Sequence, residues 1–116
     1  MADYMFLLYD DPTAFEDCSP EEMQQLIQKY SAWQDRLVAD GRLVAGDKLT
    51  DGEGRVLRSE GGKVRVLDGP YSEAKEIIGG FFTVRADSYE HAVELAESGP
   101  HLELGGTIEI REIEVH

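Results

Sequence analysis

The sequence predicts an α+β domain of the ferredoxin-like, split βαβ class, in which an antiparallel sheet carries two helices on one face. Two observations carry this. Apolar runs and helical stripes follow one another in the order β-α-β, a hairpin arm, then β-α-β. Both helical stripes are bracketed by start and stop signals. The 116 residues fit one domain, 1–116, with no repeat, linker or low-complexity tract, and a 41% apolar fraction suffices for a single core.

The elements follow in order. Tyr4 to Tyr9 is an apolar run that stops at Asp10-Asp11-Pro12 and reads as a buried strand. Ser19-Pro20-Glu21-Glu22 opens a helix: Ser19 caps it, Pro20 fits the first helical position, and Glu22 completes a capping box. Met23, Leu26, Ile27, Tyr30, Trp33, Leu37 and Val38 then form one apolar stripe, and Gly41 is the stop. Leu43-Val44-Ala45 reads as a strand broken by Gly46, followed by a turn at Asp51-Gly52-Glu53-Gly54. Arg55 to Arg58 and Lys63 to Leu67 form a hairpin around Glu60-Gly61-Gly62. After an Asp68-Gly69-Pro70 turn and an acidic loop, Gly79-Gly80 leads into a strand running from Gly80 to Arg85. Asp87-Ser88-Tyr89-Glu90 offers a second capping box with Asp87 as cap, and Tyr89, Ala92, Val93 and Ala96 mark a second amphipathic helix ended by Gly99-Pro100. Gly105-Gly106 precedes the last strand, Thr107 to Val115.

Composition narrows the function classes. Twenty-four acidic residues against 11 basic ones give a net charge of −13, which repels phosphate backbones and anionic bilayers; neither nucleic acid nor membrane is expected as a partner. No apolar run approaches the roughly 18 residues of a membrane span. Met1-Ala2-Asp3-Tyr4 has no basic leader, and Cys18 stands alone, so neither a signal peptide nor a disulfide is expected. A cytoplasmic protein is the economical reading. There is no phosphate-binding loop, nucleophile elbow or dinucleotide fingerprint, and His91, His101 and His116 are scattered, so no cofactor and no metal is expected.

The strand pattern also predicts a partner. Two helices cover one face of such a sheet, yet Met5, Leu7 and Tyr9 on one side of the first strand and Phe6 and Leu8 on the other all want burial, as do Phe81 and Phe82. A homodimer closing over the second face is the simplest solution; a one-sided ligand cleft is the alternative.

His101 is the leading catalytic candidate, because an imidazole titrates near neutrality, with Asp68 as the group that would orient it. The competing readings are a helix-end cation for His101 and a turn-capping carboxylate for Asp68. A pocket between the sheet and the Asp68 to Gly80 loop would bind substrate through Lys75, Tyr9, Gly80 and Phe81, with Lys75 holding an anion. Tyr9 and Trp33 also suit the core or an interface, where each needs a polar partner for its OH or NH. His91, flanked by Glu90 and Glu94, reads as solvated.

Nearly the whole chain resembles the YCII-related domain, in its Asp-Gly-Pro-Phe (DGPF) subgroup. The resemblance rests on Met5 to Tyr9 with Asp10, Ser19-Pro20-Glu21-Glu22-Met23, Gly41 to Gly46, Asp68-Gly69-Pro70-Tyr71 with Glu73 and Lys75-Glu76, Gly79-Gly80-Phe81, and Pro100-His101 with Gly105-Gly106. Tyr71 stands where the subgroup has Phe. The resemblance implies a dimeric α/β-barrel of the ferredoxin-like type and supplies no firm reaction. Other members carry a proposed catalytic histidine in helix one; by spacing to Gly41, Tyr30 occupies that place here. Three readings therefore compete: a small-molecule enzyme using acid–base chemistry, a non-catalytic binding or regulatory module acting with sigma-type transcription factors, and an interaction protein whose sheet face serves only oligomerisation.

Overall fold

Ser19 starts the first helix as its sequence predicts: its side chain accepts from the Glu22 amide at 3.1 Å, and the Glu22 carboxylate accepts from the Ser19 amide at 3.4 Å. In the computed structural model, which describes residues 1–69 and 75–115, this helix is α1, Pro20–Ala39. Pro70 and Tyr71 of the predicted Gly-Pro turn, the remainder of 70–74 including Glu73, and His116 lie outside the described residues. Gly41 has φ +70, and the amides of Gly41 and Arg42 return to Val38 and Leu37, which closes α1.

The other elements are β1 (Ala2–Asp10), β2 (Leu43–Lys48), β3 (Gly54–Glu60), β4 (Lys63–Gly69), β5 (Ile77–Ala86), α2 (Tyr89–Glu97) and β6 (Thr107–Glu112). An antiparallel four-stranded sheet runs β2-β5-β1-β6, and β3 and β4 form a separate two-stranded arm. This α+β arrangement, with two helices and the first and third core strands at the centre, fits the ferredoxin-like class.

The core lies between sheet and helices. Tyr4, Phe6 and Leu8 of β1 and Phe82 and Val84 of β5 are buried with Trp33 and Leu37 of α1 and Ala92 and Ala96 of α2. Trp33 meets Phe82 edge-on at 5.0 Å and stacks on Phe6 at 6.4 Å. Its indole NH donates to the Leu95 carbonyl at 3.2 Å, so the partner it needed is found on α2.

Several local expectations change. Gly46 does not break β2; the strand continues, and the glycine leaves room for the Phe82 ring, which a Cβ there would overlap. The cap of α2 is Ser88, not Asp87, with the Ser88 hydroxyl accepting from the His91 amide. Asp87 instead donates its amide to His91 Nδ1 at 3.1 Å, which makes His91 part of the cap and half-buried. The α1 stripe is not uniformly buried: Trp33 and Leu37 are inside, whereas Met23, Leu26 and Tyr30 are half-buried and Ile27 is 58% exposed. Met23, Leu26, Ile27 and Tyr30 of α1 line a cleft against the sheet.

Two apolar surfaces remain. Register places Met5, Leu7, Tyr9 and Phe81 on the sheet face opposite the helices, all half-buried. On the arm, Leu57, Val66 and Val64 share one side and are 63%, 59% and 68% exposed. Among the described residues, no helix is long and apolar enough to cross a membrane.

Candidate functional site

A one-residue bulge builds the site. The β1–β5 ladder runs regularly to Leu8↔Gly80, then skips Gly79 and resumes at Tyr9↔Ile78. Asp10 ends β1 directly against this bulge, and a side chain at Gly79 would collide with its carboxylate. Gly79 therefore lets Asp10 turn back over the sheet end instead of leaving into solvent.

His101 arrives from the turn after α2 and is 1% exposed. Nε2 lies 2.9 Å from the Tyr9 carbonyl oxygen, and Nδ1 lies 2.7 Å from the Tyr30 hydroxyl on α1. A carbonyl oxygen can only accept, so Nε2 carries the proton. In the neutral ring Nδ1 is then the acceptor, and Tyr30 donates to it. Asp10 Oδ1 sits 3.8 Å from Nε2, close enough to stabilise an imidazolium by charge. Gly106 backs the ring, with no room for a Cβ beside it.

These groups sit at the inner end of a cleft of about 410 Å³, within the range of small-ligand sites. Phe15, Met23, Leu26 and Ile27 form one wall, and Leu8, Gly46, Gly80 and Phe82 the other. Asp47, Lys48 and Asp51 border it, and Lys48 Nζ lies 2.8 Å from Asp51. Burial raises the Asp10 pKa above the ordinary carboxylate range, outweighing the opposing pull of His101 and Lys48. Burial, then the Asp10 charge, pushes the Tyr30 phenol up to about 12. Tyr30 therefore stays a neutral hydroxyl at neutral pH and is not a phenolate.

The sequence profile of the YCII-related domain matches residues 2–115. The chain belongs to the YCII-related domain family. It is also 31% identical over 94 residues to an uncharacterised protein of Rhizobium meliloti (strain 1021), covering 80% of this chain and 76% of that protein.

Within this YCII-related domain the expected site residues separate into two groups. His101 and Gly80 border the cleft; Phe81 also lines it, although register turns its side chain to the opposite sheet face. Tyr9 contributes its carbonyl to His101, but its side chain points to the opposite sheet face and donates to Glu109 at 2.9 Å. Asp68 is not brought to His101: it projects from the arm with its side chain 96% exposed and pairs with Arg55 at 3.7 Å. Both ring nitrogens of His101 are already taken by Tyr30 and Tyr9, so the orienting role falls to these two groups. Lys75 is exposed and does not border the cleft. Nor is His101 a cap of α2 carbonyls.

Two members of the site were not singled out from the sequence as such. Asp10 reads there as a strand stop and as one position of the family pattern, although the double glycine that accommodates it is visible. Tyr30 reads as one more apolar stripe position, apart from its place in the family pattern.

Proposed function

We propose that this YCII-related domain is a small-molecule enzyme of the cytoplasm that moves protons through Tyr30 and His101 in the α1 cleft. A ligand proton passes to the Tyr30 oxygen while the Tyr30 proton passes to His101 Nδ1. The imidazolium so formed keeps its Nε2–H bond to the Tyr9 carbonyl and faces the Asp10 carboxylate. Reversing the steps protonates the ligand. Tyr30 is the residue that touches substrate, His101 stores the proton, and Asp10 stabilises the charged ring. The observation that carries this is the fully buried imidazole whose outward nitrogen is joined at 2.7 Å to a hydroxyl bordering the cleft.

The test begins with a thermal-shift screen of small metabolites, since a ligand of the folded state raises the midpoint. Exchange of an acidic, carbon-bound ligand proton with deuterated solvent is then followed by NMR. Tyr30→Phe is expected to slow that exchange by about 10²–10⁴-fold, the usual worth of a positioned acid–base group. An unchanged exchange rate in a folded Tyr30→Phe protein rejects the relay.

The Asp68-Gly69-Pro70-Tyr71 run supports placement in the Asp-Gly-Pro-Phe subgroup. A homodimer through the open sheet face forms part of the same proposal. It is supported by half-buried Met5, Leu7 and Phe81 on that face and by the exposed Leu57, Val64 and Val66 of the arm. Light scattering on the eluting peak of a sizing column should return twice the chain mass at micromolar concentration; a single-chain mass rejects the dimer.

A further inference from the structure

We infer that the α1 cleft takes a ligand with an apolar body and an uncharged or cationic proton-donating head, an amine or a hydroxyl, and discriminates against carboxylates and phosphates. This rests on the cleft being the ligand site, as proposed above, and adds the chemical class.

Hydrogen-bond supply at the inner end comes first. The Nε2 proton of His101 is committed to the Tyr9 carbonyl and the Tyr30 proton to His101 Nδ1. With a neutral ring, Tyr30 and Asp10 offer the cleft only acceptor lone pairs. A ligand head seated against these two groups must bring the donor, and a carboxylate there would face oxygen against oxygen; the uncharged donors that also line the cleft, Ser31 and Gln34, are exposed on α1. Protonating His101 would turn the Tyr30 O–H outward, but the added charge lies 3.8 Å from Asp10, so the pair together gains no net positive charge.

Charge points the same way. Among the described residues, Asp10, Asp47 and Asp51 border the cleft against one cation, Lys48. That ammonium is already engaged, 2.8 Å from Asp51 and 2.9 Å from the Leu49 carbonyl. Glu76 lies near enough to raise the Asp10 pKa further, and Lys75, the expected anion anchor, does not border the cleft. The whole chain carries −13, which lowers the local concentration of anions still more. The apolar half of the ligand is set by Phe15, Met23 and Leu26, which line the cleft and are half-buried. Burying such a body against them contributes roughly 25 cal/mol per Å² of apolar area, so the head decides selectivity and the body supplies affinity.

A matched set tests this: 2-phenylethylamine, 2-phenylethanol and phenylacetate, titrated separately into isotope-labelled protein. Backbone amide shifts of Tyr30, Gly80 and Phe81 report the cleft. The amine and the alcohol are expected to shift these amides, with the amine binding at least about tenfold more tightly than phenylacetate, a difference of about 1.4 kcal/mol. Asp10→Asn should bring the amine down to the alcohol. Asp47→Asn, at an exposed position, should narrow the gap between amine and carboxylate without touching the inner end, and it serves if Asp10→Asn does not fold. Phenylacetate binding as tightly as the amine overturns the ligand class and leaves the cleft standing as a binding site. If none of the three shifts the cleft amides, the cleft is not a site for such ligands, and the inference falls together with the reading beneath it.

Discussion

Replacing Trp33 by Ala is expected to cost about 3–5 kcal/mol, the range for removing a fully buried large aromatic. That is a large part of the roughly 5–15 kcal/mol that holds a domain of this size together. Trp33 is 0% exposed and touches both central strands through Phe6 and Phe82. Its NH bond to Leu95 also joins α1 to α2, and the substitution removes that bond, leaving the Leu95 carbonyl with the Ser98 hydroxyl as donor. Gly99 approaches the indole so closely that a Cβ would overlap it, so the turn after α2 is fitted to this one ring. The effect reaches the site because Tyr30 lies one turn earlier on α1, with its ring 6.5 Å from that of Trp33. Urea denaturation followed by far-UV circular dichroism measures the loss. Trp33→Phe should cost less, since it keeps part of the packing and loses the hydrogen bond. A cost below about 1 kcal/mol for Trp33→Ala would show that the core is built around other contacts.

The same helix shows what a sequence reveals and what it hides. Period and caps make α1 legible because both are local: the apolar repeat, Ser19 with Glu22, and Gly41 each act within a few residues. The order of elements then constrains the sheet, and the class follows. The stripe itself does not say which of its residues face the core and which face a cleft, because Leu26 and Leu37 have the same chemistry. That distinction depends on how far the sheet extends beneath the helix. The site was harder still. His101 stands out by its type, but its partners come from β1 and α1, 92 and 71 residues away in the chain. Asp68 was a plausible partner because it ends a strand beside a constrained turn. The hairpin containing it is a separate sheet, and register places it outward with Arg55. Asp10 also ends a strand beside glycines, and only the bulge at Gly79 separates the two cases. A bulge is a mismatch between two strands, so neither strand alone reveals it.

Two adjacent glycines test how firmly His101 is held. Gly106→Ala is expected to destabilise by about 1–3 kcal/mol through overpacking, because its Cβ would overlap the His101 ring at Nε2, Cδ2 and Cε1. The ring is held at both nitrogens, so a shift that relieves the overlap must break its bonds to Tyr9 or Tyr30, at about 1 kcal/mol more for each. Gly105→Ala supplies the contrast. Its Cβ meets nothing within 4 Å, but φ is +88, so the cost is backbone strain of about 1–2 kcal/mol with no displacement of the ring. Stability alone would not separate the two variants, whereas the imidazole nitrogens do. In ¹⁵N spectra of the wild-type protein and of Gly105→Ala, His101 should show the same protonated Nε2 and accepting Nδ1. In Gly106→Ala those resonances should move or broaden as the hydrogen bonds fail, and the Tyr30 hydroxyl should lose the partner that makes it a proton relay. Wild-type imidazole resonances in Gly106→Ala, with stability within about 0.5 kcal/mol, would mean that the ring can move aside freely. The pairing with Tyr30 would then not be a built feature of the cleft.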